Sequence, residues 1–321
     1  MKMLSDLGVI IGITLMYSAP LIYTSLGGVL SENAGVVNIG LEGMMTIGAF
    51  AGATVAYFTQ NPWIGFLAAG IAGGLLALLH AIACVTFTAD HVVSGIAINF
   101  IGPGLSIFLT KIFFDGAAMT IPLDLDNKIP RPLNGLFSSI SPTNPTMARI
   151  VDALDSIFNQ YATVYIALLL VLAVWFFLYK TKLGLRIRSV GEHPRAADTL
   201  GINVYRIKYL AVILSGVLAG FGGAAMSIAV ISNYRAALIS GQGFIALAAM
   251  IFGKWKPQGA MLGCLLFGAA QGLVVYLGST SLNISSQLLA MLPYIITLVI
   301  LMGFVGEARG PKASGIPYEK E

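Results

Sequence analysis

Nine apolar segments recur along this chain, and they decide what it can fold into. A helix needs about 20 apolar residues to cross ~30 Å of hydrocarbon. By that ruler the spans fall near residues 7–28, 36–58, 62–87, 92–113, 161–179, 208–231, 241–255, 258–277 and 287–305. The segment at 241–255 is short and reads as a broken or tilted element, so eight to ten spans bracket the count of nine. Only 10% of the 321 residues are charged and 57% are hydrophobic, whereas a soluble domain carries roughly 25% charged residues. The fold class is therefore an all-α polytopic membrane protein. Glycine, at 37 residues, suits helix packing in lipid, where small residues let backbones approach. The N-terminal run lacks a small-residue cleavage site and continues too far for a signal peptide. It reads as a retained first span.

Charge sets the orientation. Residues 179–209 hold Lys180, Lys182, Arg186, Arg188, Arg195, Arg206 and Lys208, seven of the 18 basic residues, against Glu192 and Asp198 alone. Cytoplasmic loops carry such an excess, so the 180–208 loop is expected inside, as is the 306–321 tail. The other long polar region, 114–160, carries Asp115, Asp124, Asp126, Asp152 and Asp155 against Lys128, Arg131 and Arg149, and is rich in Pro, Ser and Asn. It suits the outer face, where it could meet a soluble partner. The whole chain reads as one transmembrane domain.

The sequence also repeats itself. NIGLEGMMTIGAFAGA (38–53) resembles LISGQGFIALAAMIFG (238–253), and each copy is followed by a proline, Pro62 or Pro257, and a glycine-studded span. The second copy lies five spans after the first, and an odd step inverts it. Inverted repeats characterise transporters that handle substrate near the midplane.

Polar residues inside apolar runs are the candidates for a path. A carboxylate at the bilayer centre costs about 2.5–3.5 kcal/mol on insertion scales, so Glu42 needs a partner. Two readings stay open for it: a broken helix lining a path with Asn38, or a structural hydrogen bond to backbone. Glu32 and Asn33 read as part of a turn at 29–36. Asn99 precedes Gly102-Pro103-Gly104, an expected helix break, and serves either a path or helix–helix hydrogen bonding. Gln242 answers Glu42 in the second copy. Thr88 or Asp90 is expected to cap the fourth span, and His80 reads as structural. In the basic loop, Gly191 is expected to break the helix leaving the fifth span. Pro194 suits a first helical position, and Gly201 a left-handed close. Asn203 is a candidate cap for the sixth span. Between them stands a short helix presenting Ala196 and Ala197 to a partner.

Catalysis is not indicated. No nucleophile has a base nearby, the three histidines lack metal-ligand spacing, Cys84 and Cys264 lie in apolar runs, and no P-loop is present. Outside the basic loop, nothing pairs basic residues with aromatics for nucleic acid.

The stretch GLRIRSVGEHPRAADTLGINVYRIKYLAVILSGVLAGFGGA resembles the coupling loop and following helix of bacterial ABC importer permeases. The branch is that of branched-chain amino acid, simple sugar and nucleoside permeases. The family's AAxxxG core stands as Ala196, Ala197 and Gly201, with Arg195 where a glutamate is usual and Glu192 nearby. SENAGVVNIGLEGMMTIGAF and GQGFIALAAMIFGKWKPQGAMLG are similar to general nucleoside permeases. The resemblance implies a transport subunit, not an enzyme, in a bacterial or archaeal plasma membrane. It implies a separate ATPase that binds ATP and magnesium, a second and related permease, and an external substrate-binding lipoprotein. The ATPase contact would comprise Gly191, Glu192, Pro194, Arg195, Ala196, Ala197, Asp198 and Gly201. The substrate path would comprise Asn38, Glu42, Asn99 and Gln242. A nucleoside is the expected cargo and a simple sugar the alternative. An ion-coupled carrier using Glu42 or His91 is the rival mechanism.

Overall fold

The computed structural model describes residues 2–137, 140, 144–279, 285, 288, 291, 295 and 309–320. Its helices are α1 (Lys2–Asn33), α2 (Leu41–Thr59), α3 (Pro62–Ala81), α4 (His91–Phe113), α5 (Pro145–Phe158), α6 (Ala162–Lys180), α7 (Lys182–Glu192), α8 (Pro194–Thr199), α9 (Val204–Ala224), α10 (Gln242–Phe252) and α11 (Pro257–Ser279). Wider π-type turns extend α3 to Thr86 and α9 to Ile231.

Among the described residues, seven helices are long and apolar enough to cross a membrane. The expected nine differ for two reasons. The 241–255 segment folds as α10, of 11 residues, too short to cross alone. The segment at 287–305 lies almost wholly outside the described residues, as do 306–308 of the tail and 138–139 and 141–143 of the 114–160 loop.

Local chemistry places the helix starts. Asn61 Oδ1 accepts from the N–H groups of Trp63 and Ile64, with Pro62 in the first turn of α3. Asp90 Oδ1 accepts from Val92 and Val93, both at 2.9 Å, and so caps α4 as anticipated.

Three expectations are corrected. First, α1 does not stop near residue 28 but runs to Asn33. Gly27 and Gly28 do not end it, because they are contact points against Ser215 and against Met250 with Leu41. Second, α4 passes unbroken through Gly102-Pro103-Gly104. Pro103 removes only the N–H that would meet the Asn99 carbonyl, a loss that membrane helices tolerate. Gly102 serves packing instead: a Cβ there would strike Gly43 of α2, so the two backbones touch. Third, the 114–160 loop contains α5, which packs on α1 through Ala153 and Ser156 against Gly8 and Gly12.

Helices α1 and α9 form the middle of the bundle, with α2 and α3 on α9, and α11 and α10 on α1. Phe66 and Phe221 stack at 4.5 Å between centroids, with Tyr23 edge-on at 5.9 Å from Phe66. Such pairs contribute about 0.5–1.5 kcal/mol beyond area burial. The Tyr23 hydroxyl donates to the Thr163 carbonyl of α6 at 2.8 Å. Polar residues such as Ser215, His80 and Asn38 are fully buried, while Leu67, Phe100 and Phe108 are exposed. That distribution fits a bundle whose solvent is hydrocarbon.

The 114–130 segment closes one end. Thr120 N–H donates to the Tyr234 carbonyl at 3.0 Å, and Leu123 N–H to Ser232 at 2.8 Å. The basic residues of α7 and α8 lie at the opposite end, beside Asn33, Gly35 and the tail.

Candidate substrate path and coupling site

Between α1 and α2 the backbone is irregular over residues 34–40 yet deeply buried: Ala34, Val36 and Asn38 have no exposure. Non-helical backbone at membrane depth persists only where protein satisfies it. Here three helices supply the partners. His80 of α3 donates from Nε2 to the Val37 carbonyl at 3.1 Å, and its Nδ1 lies 2.8 Å from Ser94 Oγ. This geometry assigns the proton to Nε2, with Ser94 donating to Nδ1. His91 Nδ1 accepts from the Val37 N–H at 3.3 Å. Asn99 Nδ2 donates to the Ile39 carbonyl at 3.0 Å, and its Oδ1 accepts from the Gly43 N–H at 2.8 Å. Asn38 Nδ2 donates to Ser215 Oγ of α9 at 3.0 Å.

The second repeat copy arrives at the same depth. Gly241, with φ +93°, takes a conformation that only glycine adopts without steric cost, and turns the chain into α10. Glu42 Oε1 accepts from the Gly241 N–H at 2.6 Å, and Oε2 from the Gly243 N–H at 2.7 Å. A carboxylate with one donor on each oxygen thus satisfies two of the N–H groups that a helix start leaves unpaired. It also sets negative charge at the positive end of the helix dipole. The two copies therefore meet head to head. From this point α2 runs toward Gln60, which pairs with Asn127 at the loop-covered end. Helix α10 runs back to the basic end, where Trp255 Nε1 donates to Glu32 Oε2 at 2.5 Å and Asn33 Nδ2 to the Trp255 carbonyl at 3.2 Å.

Asn38, Glu42 and Asn99 are thus gathered around one junction, and each is engaged with protein there. Gln242 adjoins the junction but lines a cavity of about 340 Å³ on its far side. His91 and Ser215 were not foreseen as clamps. The available signal was a polar side chain inside an apolar run, which names a candidate but not its partner.

At the basic end, α6 stops because Thr181 is extended (φ −111°, ψ 156°), and Thr181 Oγ1 accepts from the Gly184 N–H at 3.1 Å to start α7. The break expected at Gly191 comes two residues later. Helix α7 continues through Gly191 to Glu192, and His193 leaves helical geometry, because the residue before a proline is excluded from the α region. Gly191 instead permits close approach: a Cβ there would strike the Asn33 carbonyl. Helix α8 opens on Pro194 and is followed by Gly201 at φ +80°, as the turn chemistry predicts. Asn203 Oδ1 accepts from the Arg206 N–H at 3.0 Å and caps α9.

The alanine pair is divided. Ala196 is exposed, whereas Ala197 is only 2% exposed, since neighbours on a helix point about 100° apart. Glu192, His193, Arg195, Ala196, Thr199 and Leu200 are exposed along this stretch.

The tail folds onto this region. Ala313 N–H donates to the Gly191 carbonyl at 2.9 Å and Gly315 N–H to Gly35 at 3.3 Å. Tyr318 lies 5.6 Å from Tyr205, and Lys320 Nζ sits 3.6 Å from Asp198. Residues 192–196 with 312–313 and 316–319 line a cavity of about 550 Å³.

The family model described as branched-chain amino acid transport system / permease component matches residues 10–302. The chain is 44% identical to the guanosine ABC transporter permease protein NupQ of Bacillus subtilis, covering 100% of this chain and 99% of that one. It is 43% identical to the nucleoside ABC transporter permease protein NupC of Lactococcus lactis, again over 100% and 99%. The putative glucose ABC transporter permease protein TsgC13 of Haloferax volcanii is 34% identical over 90% of this chain and 89% of its own. No solved structure matches. With its multi-pass helical bundle and a match over nearly its whole length, the chain belongs to the permease-component family of branched-chain amino acid transport systems.

Proposed function

We propose that the chain is the permease subunit of an ATP-driven importer of nucleosides in a plasma membrane. The carrying observation is that two full-length relatives, at 44% and 43% identity, are both named as nucleoside-type permeases. The glucose relative stands at 34% and makes a sugar the second reading. On the positive-inside rule the end carrying α7, α8 and the tail faces the cytoplasm, and 114–160 faces outward.

In this reading α8 sits in a cleft of a separate ATPase, which holds ATP and magnesium, with Pro194, Arg195 and Ala196 at the contact. Glu192, Ala197, Asp198 and Gly201 shape that helix and its exit. A related second permease completes the membrane part, and a binding lipoprotein delivers cargo from outside. Movement of α8 has a short mechanical route inward. Gly191 of α7 bears on Asn33 and Gly35, and Gly35 begins the loop that leads to Asn38, Glu42 and Asn99. Those residues set the geometry of the path at midplane, and Gln242 faces it.

Cells carrying the complete assembly are expected to take up labelled guanosine, with unlabelled nucleosides competing and ribose or glucose not competing. Competition by glucose alone would move the cargo to sugars.

A further inference from the structure

Most polar side chains in the membrane-spanning core pair with protein. Buried atoms with no hydrogen-bond partner among the described residues include Ser25 Oγ, Asn38 Oδ1, Thr54 Oγ1, His91 Nε2, Ser227 Oγ and Tyr234 OH, and a further group of three unpartnered side chains lines a single cavity. Asn99 and Glu42 use both ends of their side chains on backbone. His80 uses both ring nitrogens. By contrast, the Gln242 and Gln271 amides and the Tyr17 hydroxyl make no hydrogen bond to any described residue, and all three are half-buried against the same cavity. That cavity, of about 340 Å³, lies between α1, the end of α9, the 235–240 loop, α10 and α11. Its size falls in the range of small-ligand pockets, about 300–1,000 Å³.

We propose that this cavity is a binding site for the nucleoside during its passage, with Gln242 and Gln271 as the specificity-determining residues. The proposal rests on the nucleoside-importer reading above. Each primary amide offers two donors and a two-lone-pair acceptor. Two such groups on facing helices match a neutral ligand that carries both donors and acceptors, as base edges and ribose hydroxyls do. Tyr17 adds an amphipathic ring for a planar base, and Met226 a polarizable contact. The one charged side chain among the described residues of the lining is Arg235, which is exposed; a guanidinium offers only donors, which suits the acceptor atoms of a base edge and disfavours a cationic ligand. Its wall at Ser240 and Gln242 flanks Gly241, whose N–H Glu42 holds at 2.6 Å. The site is therefore built directly onto the junction of the two repeats, and Glu42 acts as its positioning residue.

The test uses the complete importer in proteoliposomes loaded with ATP, with [³H]guanosine as the probe. Gln242→Leu and Gln271→Leu remove the amides at similar volume, and are compared in assemblies that retain the ATPase on purification. Each is expected to lower guanosine uptake by about ten-fold or more, the effect of roughly one lost hydrogen bond. As a second measurement independent of folding defects in those variants, Val274→Cys on the same wall is titrated with a methanethiosulfonate reagent. Guanosine is expected to slow its modification, while glucose does not. Guanosine uptake by the unmodified importer, together with unaltered uptake in both leucine variants and unprotected Val274→Cys, would overturn the site while leaving the function intact. An unmodified importer that carries glucose and no nucleoside would overturn both.

Discussion

Asn99 and Glu42 illustrate how single side chains hold irregular backbone inside a membrane. Asn99→Leu would strand the Ile39 carbonyl and the Gly43 N–H, which Asn99 now meets at 3.0 and 2.8 Å. Each unmet group costs about 1–3 kcal/mol. The variant is expected to unfold at a temperature several degrees lower in detergent, as followed by loss of its monodisperse fraction on heating. Glu42→Gln is a sharper change. The amide keeps one oxygen for one N–H but turns its NH₂ donor toward the other, where two donors then face. Loss of a charged hydrogen bond costs about 1.5–3 kcal/mol. The effect should concentrate at the start of α10, raising the reactivity of a cysteine placed at Ser240 while leaving one placed at Phe58 unchanged. Equal reactivity at Ser240→Cys in both backgrounds would show that the carboxylate does not fix α10.

At the scale of elements, α8 separates two effects that the sequence presents as one. Ala196→Trp adds bulk on the exposed face and is expected to leave the fold stable while reducing ATPase co-purification and uptake. Ala197→Trp adds bulk at a buried position, where overpacking costs about 1–3 kcal/mol, and is expected to lower thermal stability. The same contrast shows what could be read from the chain alone. Pro194, Gly201, Asn203 and Asp90 were legible because capping and turn chemistry are local, acting over two or three residues. The inverted repeat was legible as a pattern, but not as the contact between Glu42 and Gly241, because its partners are far apart in sequence. The clamps on Val37 by His80 and His91, and the tail's contact with Gly191, were hidden for that reason. The Gly-Pro-Gly stretch misled, since in lipid a proline can sit inside a continuous helix. Helix α5 was masked by the Pro, Ser and Asn around it.

At the scale of the whole molecule, the bundle joins two ends by a short chain of contacts. It runs from α8 and α7 through Gly191 to Asn33 and Gly35, along the buried 34–40 loop, to Glu42 and the start of α10. Its orientation can be checked directly. A cysteine at Leu125, which is 87% exposed, is expected to react with an impermeant reagent added outside. One at Leu200, 82% exposed, should react only after the membrane is opened. The reverse pattern would invert the topology. The central claim is that this chain transports nucleosides only when a separate ATPase drives it. The most direct measurement is guanosine uptake into proteoliposomes holding the permeases and binding protein, with and without the ATPase and ATP. Accumulation only when both ATPase and ATP are present is the expected result; accumulation in an ion gradient with no ATPase would contradict it.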